Sequence, residues 1–267
     1  MIDWYQALIL AIVQGFTEFL PISSSAHLAM APIVLGWPDQ GLAFDVAVHV
    51  GTLSAVLIYY RRDLREMLNN WFGSLAGGPS NAHSQLVWYL VAATLPIAVM
   101  GIAANEFIGG ELRSLSVIAT ATLVFGLLLG LADKRAREPS AAVPLSINVA
   151  LWIGLAQVVA LIPGVSRSGV TITTALLLGL DRQSAARFSF LLSIPVIASA
   201  GGLIALELIS RSIALNWSQL IVAMMVSGIT AYLCIATFIR LLDTVGLMPF
   251  VYYRIFLAGI LYALIFF

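Results

Sequence analysis

The sequence Pro163-Gly164-Val165-Ser166-Arg167-Ser168 interrupts a long apolar region of the chain. The apolar run Val143–Ile162 precedes it, and only about eleven residues follow it as far as Leu180. An α-helix of that length rises about 16 Å, roughly half of the hydrocarbon layer of a bilayer. The pattern therefore predicts a helical hairpin over residues 143–180 that enters the membrane, breaks near the midplane and returns. Broken backbone at that depth is tolerated only where protein or a water-filled cavity surrounds it.

A second interruption of the same kind lies near the N-terminus. The apolar run Ile2–Leu20 meets a short polar stretch, and about eleven residues then lead to Gly36; the stretch reads Pro21-Ile22-Ser23-Ser24-Ser25. We expect a second re-entrant hairpin over residues 2–36. The segments before the two tips are similar, since Gln14 precedes Pro21 much as Gln157 precedes Pro163.

The composition excludes several classes of protein. Of 267 residues, 61% are apolar and only 10% are charged, with 13 basic and 13 acidic side chains. So few charges cannot cover a soluble domain of this size, and they form no basic patch for a nucleic acid. Cys234 is the only cysteine, which excludes a disulfide framework and a thiolate metal cluster. A polytopic, all-α membrane protein remains.

Six further apolar stretches are long enough to cross the bilayer: Leu42–Tyr60, Ser84–Ala104, Leu115–Ala132, Ala185–Leu208, Ser218–Leu241 and Pro249–Phe267. The chain thus divides into two halves of a single membrane domain, residues 1–132 and 143–267, each a hairpin followed by three spans. A hairpin crosses the membrane no times and three spans cross it an odd number of times. The second half must therefore start on the opposite face, which predicts an inverted-topology repeat with the two hairpin tips meeting near the midplane.

Basic residues predict the orientation of these spans. The N-terminal face, where Ile2 lies, receives Arg113 and Arg211. The opposite face receives nine basic residues: Arg61, Arg62, Arg65, Lys134, Arg135, Arg137, Arg182, Arg187 and Arg240. Because positive charge is concentrated in cytoplasmic loops, the opposite face is predicted to be cytoplasmic and both termini to lie outside.

The tips carry ionisable side chains that are costly at membrane depth and indicate a functional site. Glu18, His27 and Arg167 are predicted to converge there, together with several hydroxyl groups. Arg167 offers a planar fork for phosphate oxygens, and the helix that begins near Ser168 presents N-terminal amides to an anion. Ser24 and His27 are three residues apart, so a nucleophile and a base could meet. Together these groups suit the binding and cleavage of a phosphate ester.

Glu18 has more than one interpretation. It shares a helix face with Gln14, it could orient His27, and its oxygens could bind a divalent cation. It could instead form a purely structural pair with Arg167. The serines could act only as helix caps, and His27 could bond a free carbonyl group at the break.

Other polar residues within the spans have structural interpretations as well. Asp45 and His49 share a helix face, either as a structural pair or as part of the site. Glu207, Arg240 and Arg254 lie near span ends, where long side chains are expected to reach the interface.

At these residues the sequence resembles the bacterial undecaprenyl-pyrophosphate phosphatases, also called the bacitracin-resistance phosphatases. That family carries a Glu/Gln-x-x-x-Glu motif followed by Ser-Ser and His, and a Pro-Gly-x-Ser-Arg-Ser-x-x-Thr motif. The first motif corresponds here to Gln14, Glu18, Ser23, Ser24 and His27, and the second to Pro163, Gly164, Ser166, Arg167, Ser168 and Thr171. The resemblance extends over essentially the whole chain.

The resemblance implies an enzyme of the bacterial cytoplasmic membrane that hydrolyses undecaprenyl pyrophosphate to undecaprenyl phosphate and inorganic phosphate. This reaction recycles the carrier lipid for peptidoglycan and other envelope polymers, and in the family it requires Mg²⁺ or Ca²⁺. The implied catalytic residues are Ser24, His27, Glu18 and Arg167, and Glu18 is also the implied metal ligand. The implied substrate-binding residues are Gln14, Ser23, Ser166, Ser168 and Thr171. The family also implies a site open to the periplasmic side.

The chain departs from the family pattern at three places. Gln14 cannot supply a second carboxylate to a metal site. Ser25 and Ala26 stand where Thr-Gly is frequent, and His49 stands where a glutamine is often found after the acidic position of Asp45.

A transport function and a second type of lipid phosphatase, which can perform the same reaction, are the alternatives. A transporter or flippase of a phosphorylated lipid head group fits an inverted repeat with broken helices. A phosphatidic-acid-type phosphatase needs a histidine after its Ser-Arg pair, and His83 is the last histidine in the chain, which excludes it. The expected partners are the polyprenyl pyrophosphate substrate and membrane lipid, without nucleic acid, and a homodimer is compatible with the apolar surface.

Overall fold

The computed structural model describes residues 2–103, 112, 114–136, 138, 141–210 and 216–266, with the side chains of 207, 209 and 210 left aside. Throughout this part the chain is helical: α1 (Trp4–Thr17), α2 (Ser24–Leu35), α3 (Leu42–Tyr59), α4 (Arg61–Leu75), α5 (Ala82–Ala103), α6 (Leu115–Lys134), α7 (Ile147–Gln157), α8 (Arg167–Leu177), α9 (Arg182–Ser210), α10 (Trp217–Val245) and α11 (Met248–Phe266). A 3₁₀ turn, Val158–Leu161, continues α7. Arg113, Arg137 and Arg211, the side chain of Glu207 and the predicted span ends Ala104 and Phe267 lie outside the described residues.

The six predicted spans are confirmed. Six of the described helices, α3, α5, α6, α9, α10 and α11, are long and apolar enough to cross a membrane. Their limits differ from the predicted ones by a few residues at most, because hydropathy alone marks them clearly. The chain is therefore an all-α, multi-pass membrane protein.

Two pairs of shorter helices form the hairpins. The helices α1 and α2 are 14 and 12 residues long, and α7 and α8 are 11 residues each. The two ends of the first pair come together through the rings of Tyr5 and Trp37, whose centroids are 5.9 Å apart. The ends of the second pair come together through the Val143 amide, which donates to the Gly179 carbonyl at 2.8 Å. Each pair therefore returns to the level at which it started.

A surface helix, α4, was not anticipated from the sequence. The basic residues Arg61, Arg62 and Arg65 lie in its first half, and Leu68, Phe72 and Leu75 are exposed in its second half. Only Met67 is fully buried. Such a charged and amphipathic helix is too polar to be recognised by hydropathy, and its composition is typical of a helix that lies along a membrane surface.

Close helix contacts hold the spans together. In the α3–α10 pair, a Cβ on Gly51 would lie 2.2 Å from the Met224 carbonyl oxygen, so only glycine allows this approach. The Ser227 hydroxyl then donates to the Val48 carbonyl at 3.0 Å. Small residues that let backbones approach, with hydroxyls bonding across helices, are typical of association in lipid.

Ion pairs join the helix ends on the basic face. Arg182 at the start of α9 donates to Asp133 at the end of α6 at 2.6 Å, and the Leu247 amide donates to the same carboxylate at 3.1 Å. Arg187 pairs with Asp63 of α4 at 2.8 Å. These contacts connect the end of α6 with the start of α9 and with Leu247 just before α11, and they connect α4 with α9. The inverted relation of the two halves and the cytoplasmic assignment of this face stay predictions.

Candidate active site

The two hairpin tips share an unusual backbone conformation. Ser23 and Ser166 have φ angles of 73° and 72°, and they are the only residues other than glycine with positive φ in the described part of the chain. Each is the N-cap of the returning helix, α2 or α8. Non-glycine residues in this region are strained, and such strain is concentrated at functional sites. These two cap residues place the first backbone N–H groups of α2 and α8 at the tips.

Glu18 lies at the centre of the site. Its Oε2 accepts hydrogen bonds from the Ser24 hydroxyl at 2.6 Å and from the Gln14 amide at 3.0 Å. Its Oε1 accepts from Arg167 Nη2 at 3.1 Å. The carboxylate is 8% exposed, so these bonds replace most of its hydration. The structure thus brings together four predicted site residues: Gln14, Glu18 and Ser24 of the first motif and Arg167 of the second.

Arg167, which belongs to the second hairpin, is held by the first hairpin and by a transmembrane helix. One guanidinium nitrogen pairs with Glu18, and the other donates to the Ser189 carbonyl of α9 at 3.0 Å. The side chain is 12% exposed and borders a cavity. The fork is therefore fixed in direction while part of it stays accessible to an anion.

The other hydroxyls of the second motif differ in what they contact. The Ser166 hydroxyl accepts from the Gly169 amide at 3.1 Å and borders the cavity. Ser168 donates to the Leu20 carbonyl at 2.9 Å and so links the tips. Thr171 is fully buried and shares a hydrogen bond of 2.7 Å with the Ser189 hydroxyl. Ser168 and Thr171 therefore hold the tip in place through contacts away from the cavity, whereas Ser166 borders the cavity.

His27 is directed away from Ser24. Its Nδ1 is 2.7 Å from the Ser23 carbonyl, and its Nε2 is 2.5 Å from the Tyr253 hydroxyl of α11. Among the described contacts, no hydrogen bond joins it to the Ser24 side chain, although the spacing along α2 allows the two to meet. The structure places His27 beside the tip, bonded to a carbonyl at the break.

His49 occupies the place beside Glu18 instead. Its Nδ1 is bonded to the Asp45 carbonyl one turn back at 2.7 Å, and its Nε2 lies 3.7 Å from Glu18 Oε2. Both His49 and Asp45 border the cavity. Of the two interpretations of this pair, the geometry favours membership of the site. The pairing of positions 18 and 49 depends on tertiary packing and has no signal in the sequence.

A cavity of about 340 Å³ opens in front of these groups. Its polar lining includes Glu18, Ser23, Ser24, Ser25, Ser166 and Arg167. Its apolar lining includes Leu42 and Val46 of α3, Ile97 of α5, and Val196, Ile197 and Ile204 of α9. Because α3 begins and α9 ends on the side of the N-terminal face, the apolar part extends toward that face. The cavity suits a ligand with an anionic head and an apolar tail.

The expectation that Arg254 reaches the membrane interface is wrong. The residue is fully buried, and its guanidinium donates to carbonyl groups at both hairpin tips. Nη1 bonds the Pro21 carbonyl at 3.1 Å, and Nη2 bonds the Gly164 carbonyl at 2.8 Å. Arg254 does lie less than two turns from the start of α11 at Met248, but α11 packs on α6, and the side chain meets carbonyl groups of the tips instead of the interface. Sequence reasoning also missed Ser189, which holds Arg167 and Thr171.

The donor set for a cation is small but of the right chemistry. No cluster of three or more His, Cys, Asp or Glu side chains that could hold a metal occurs within the described ranges. Glu18 and Asp45 supply carboxylates beside the cavity, and the buried Gln14 Oε1 has no hydrogen-bond partner. Hard divalent cations use oxygen ligands of this kind and often take the remaining ones from substrate phosphates. The residues therefore fit such a cation only together with a phosphorylated substrate.

Fold and site together define a multi-pass membrane protein with a buried polar centre, in which a hydroxyl, a carboxylate and a guanidinium meet. The model of the bacitracin resistance protein BacA family matches residues 7–260. The chain belongs to this family.

Curated relatives match over nearly their whole length. The undecaprenyl-diphosphatase of Saccharophagus degradans is 51% identical over 265 residues, which cover 99% of each chain. That of Alcanivorax borkumensis is 53% identical over 255 residues, which cover 96% of each chain. That of Teredinibacter turnerae is 50% identical, covering 97% of this chain and 98% of the relative.

Proposed function

We propose that this protein hydrolyses undecaprenyl pyrophosphate to undecaprenyl phosphate and inorganic phosphate. The observation that carries the proposal is the 2.6 Å hydrogen bond from the Ser24 hydroxyl to Glu18, beside a fixed Arg167 and in front of a cavity that is polar at one end and apolar at the other. The full-length relatives with this activity support it. The enzyme recycles the carrier lipid for peptidoglycan and other envelope polymers.

The contact between Ser24 and Glu18 supports a nucleophile with its general base. Glu18 accepts the Ser24 proton as Oγ attacks the terminal phosphorus. The bond from that phosphorus to the bridging oxygen breaks, and undecaprenyl phosphate leaves with the bridging oxygen. Water then cleaves the phosphoserine and releases inorganic phosphate. His27 is bonded to the Ser23 carbonyl and the Tyr253 hydroxyl instead. In this proposal it holds the tip in position and does not take the Ser24 proton.

Arg167 and the helix amides supply the charge stabilisation. Phosphoryl transfer depends mainly on positioning and on neutralising the phosphate oxygens. On substrate binding, a phosphate oxygen competes with Glu18 for Arg167 and frees the carboxylate to act as a base. The ion pair between Glu18 and Arg167 is then the resting state of the site rather than a purely structural contact.

A divalent cation, Mg²⁺ or Ca²⁺, completes the site in this proposal. Glu18, Asp45 and Gln14 Oε1 are the protein groups that would hold it. When bound, it neutralises pyrophosphate charge.

The lipid tail occupies the apolar end of the cavity, between α3, α5 and α9. Since this end extends toward the N-terminal face, which the basic residues predict to be outside, the head group enters from the periplasmic side of the cytoplasmic membrane.

The test is inorganic phosphate release from undecaprenyl pyrophosphate by the purified protein in detergent, with and without EDTA. We expect cation-dependent release that is lost in Ser24→Ala and kept in Ser54→Ala, whose hydroxyl donates only to the Val50 carbonyl of α3. No release by folded wild-type protein would contradict hydrolysis.

Trapping the intermediate identifies the nucleophile. With substrate labelled in the terminal phosphate, wild-type protein denatured in SDS at neutral pH, where phosphoserine and phosphohistidine both survive, should carry label, and Ser24→Ala should carry none. Label that persists in Ser24→Ala and is absent from His27→Ala would show that His27, and not Ser24, attacks the phosphorus.

A further inference from the structure

Arg254 has an unusual set of partners for a buried cation. Its guanidinium donates to five backbone carbonyl groups and, among the described contacts, to no carboxylate. Two of these carbonyls belong to α6 and three to the hairpin tips: Ala121, Thr122, Pro21, Gly164 and Val165. A buried charge is costly unless every donor is paired, and tip carbonyls within a membrane are costly unless they accept. Arg254 and the broken tips therefore satisfy each other.

One of these carbonyls receives two hydrogen bonds. The Val165 oxygen accepts from Nη1 at 3.0 Å and from Nη2 at 3.1 Å. A trans peptide group points its C=O and N–H in opposite directions. Since Arg254 fixes the carbonyl of the Val165–Ser166 peptide, it also fixes the N–H of Ser166 on the side away from Arg254.

That N–H is unpaired in the described structure. The Ser166 amide donates to no described residue, whereas the amides of Gly169 and Val170 are bonded to Ser166 itself. Ser166 borders the cavity and holds a positive φ, next to Arg167. An oxyanion hole is built from N–H donors that are fixed in direction and make no hydrogen bond within the fold. The Ser166 amide is such a donor, and it lies beside the proposed anion-binding side chain of Arg167.

We infer that the Ser166 backbone N–H is a further hydrogen-bond donor to the pyrophosphate and that Arg254 is the positioning residue that aims it. The inference rests on the proposed hydrolysis and adds two groups to it. Arg254 touches no substrate, since its donors are all engaged by carbonyl oxygens. It acts through the peptide that it holds.

The amide can be observed directly in the wild-type protein. The chain contains two Val-Ser dipeptides, Val165–Ser166 and Val226–Ser227. Labelling with carbonyl-¹³C valine and ¹⁵N serine therefore gives two signals in a carbonyl-correlated NMR spectrum, and Ser227, inside α10, is the internal control. Titration with methylenediphosphonate, a non-hydrolysable pyrophosphate analogue, should move the Ser166 amide signal to saturation and leave the Ser227 signal in place.

Two variants test the positioning role. Arg254→Lys keeps the charge but cannot hold the carbonyls as a fork, and we expect kcat/KM to fall about 100-fold, the usual effect of losing one such donor. Gly126→Ala places a Cβ 2.9 Å from the Cβ of Arg254 and displaces the side chain without removing it, with an expected fall of about tenfold. Gly130→Ala, one turn away and against Val251, is the matched control. In both test variants the Ser166 signal should be shifted before any analogue is added.

The outcomes separate the two proposals. Wild-type protein without phosphate release would overturn the proposed function. An active wild type that methylenediphosphonate inhibits, but whose Ser166 signal does not move, would overturn the donor role alone. Arg254→Lys with wild-type kcat/KM would overturn the positioning role. If Arg254→Lys does not fold, Gly126→Ala decides, and an unmoved Ser166 signal in that variant has the same meaning.

Discussion

The two hairpin tips have the same backbone and different chemistry. Ser23 and Ser166 adopt nearly identical φ angles, and each hydroxyl lies 3.2 Å from that of the serine two residues later. The residue after the strained serine is the hydroxyl Ser24 in the first tip and the cation Arg167 in the second. In the proposed mechanism, one turn therefore presents the nucleophile and the other the side chain that binds the anion. The backbone of each tip thus fixes the position of the side chain, and the residue type at that position determines its chemistry.

The largest effect should come from Arg167, the proposed anion-binding side chain. Arg167→Lys retains a positive charge but loses the fork that reaches both Glu18 and the Ser189 carbonyl. Because planar bidentate recognition does not transfer to lysine, we expect kcat/KM to fall about 10³-fold. Steady-state phosphate release measures it, with Arg240→Lys on α10 as the matched control. A fall of less than tenfold would show that the second tip contributes charge alone.

A smaller effect is expected from Glu18, the proposed general base beside the first tip. Glu18→Gln keeps the shape of the side chain but cannot take the Ser24 proton, so kcat should fall about 10²-fold. Glu66→Gln on the exposed face of α4 is the control. The measurement is single-turnover phosphate release with saturating enzyme. An unchanged rate would move the general base to another group, of which His49 is the nearest candidate.

The contact behind the first tip should matter less. Tyr253→Phe removes the hydroxyl bonded to His27, and one neutral hydrogen bond contributes about 1 kcal/mol, so kcat should fall no more than about tenfold. The adjacent Tyr252, 64% exposed, provides the control variant Tyr252→Phe. A much larger loss, with a changed pH profile, would return His27 to proton transfer.

The smallest effect compares the strained serines themselves. Ser23→Gly and Ser166→Gly both relieve a positive φ, but only the Ser166 hydroxyl caps its helix, by accepting from the Gly169 amide. Ser166→Gly should therefore be less stable than Ser23→Gly by about 1 kcal/mol. Unfolding in detergent measures the difference. Equal stabilities would mean that the Gly169 bond adds nothing to the second tip.

Hydropathy and motif spacing predicted much of this molecule. The spans were located from apolar length alone; Leu42–Tyr60, for example, became α3 (Leu42–Tyr59). The helix α4 was missed because its charges keep its mean hydropathy low. The contact between Glu18 and Arg167 could be anticipated from the sequence. Both residues lie where a helix breaks within the membrane, and such a break must be surrounded by protein.

Contacts set by tertiary packing could not be predicted. Three residues of spacing put Ser24 and His27 on one side of α2, but rotamer and packing turned His27 to Tyr253. His49 reaches Glu18 from α3, and Arg254 reaches carbonyls from three separate segments. No local pattern in a sequence records such distant partners.

The link between the tips has a consequence for the cell's energy supply. A wet, charged cavity that reaches membrane depth would discharge the proton-motive force if it continued to the other side. Ser168 bonds the Leu20 carbonyl, and beyond the tips Phe19 and Phe190 are fully buried with ring centroids 5.3 Å apart. Contacts as close as these leave no room for water between the groups that they join, and in the proposed enzyme they would keep the cavity from becoming a path for ions across the bilayer.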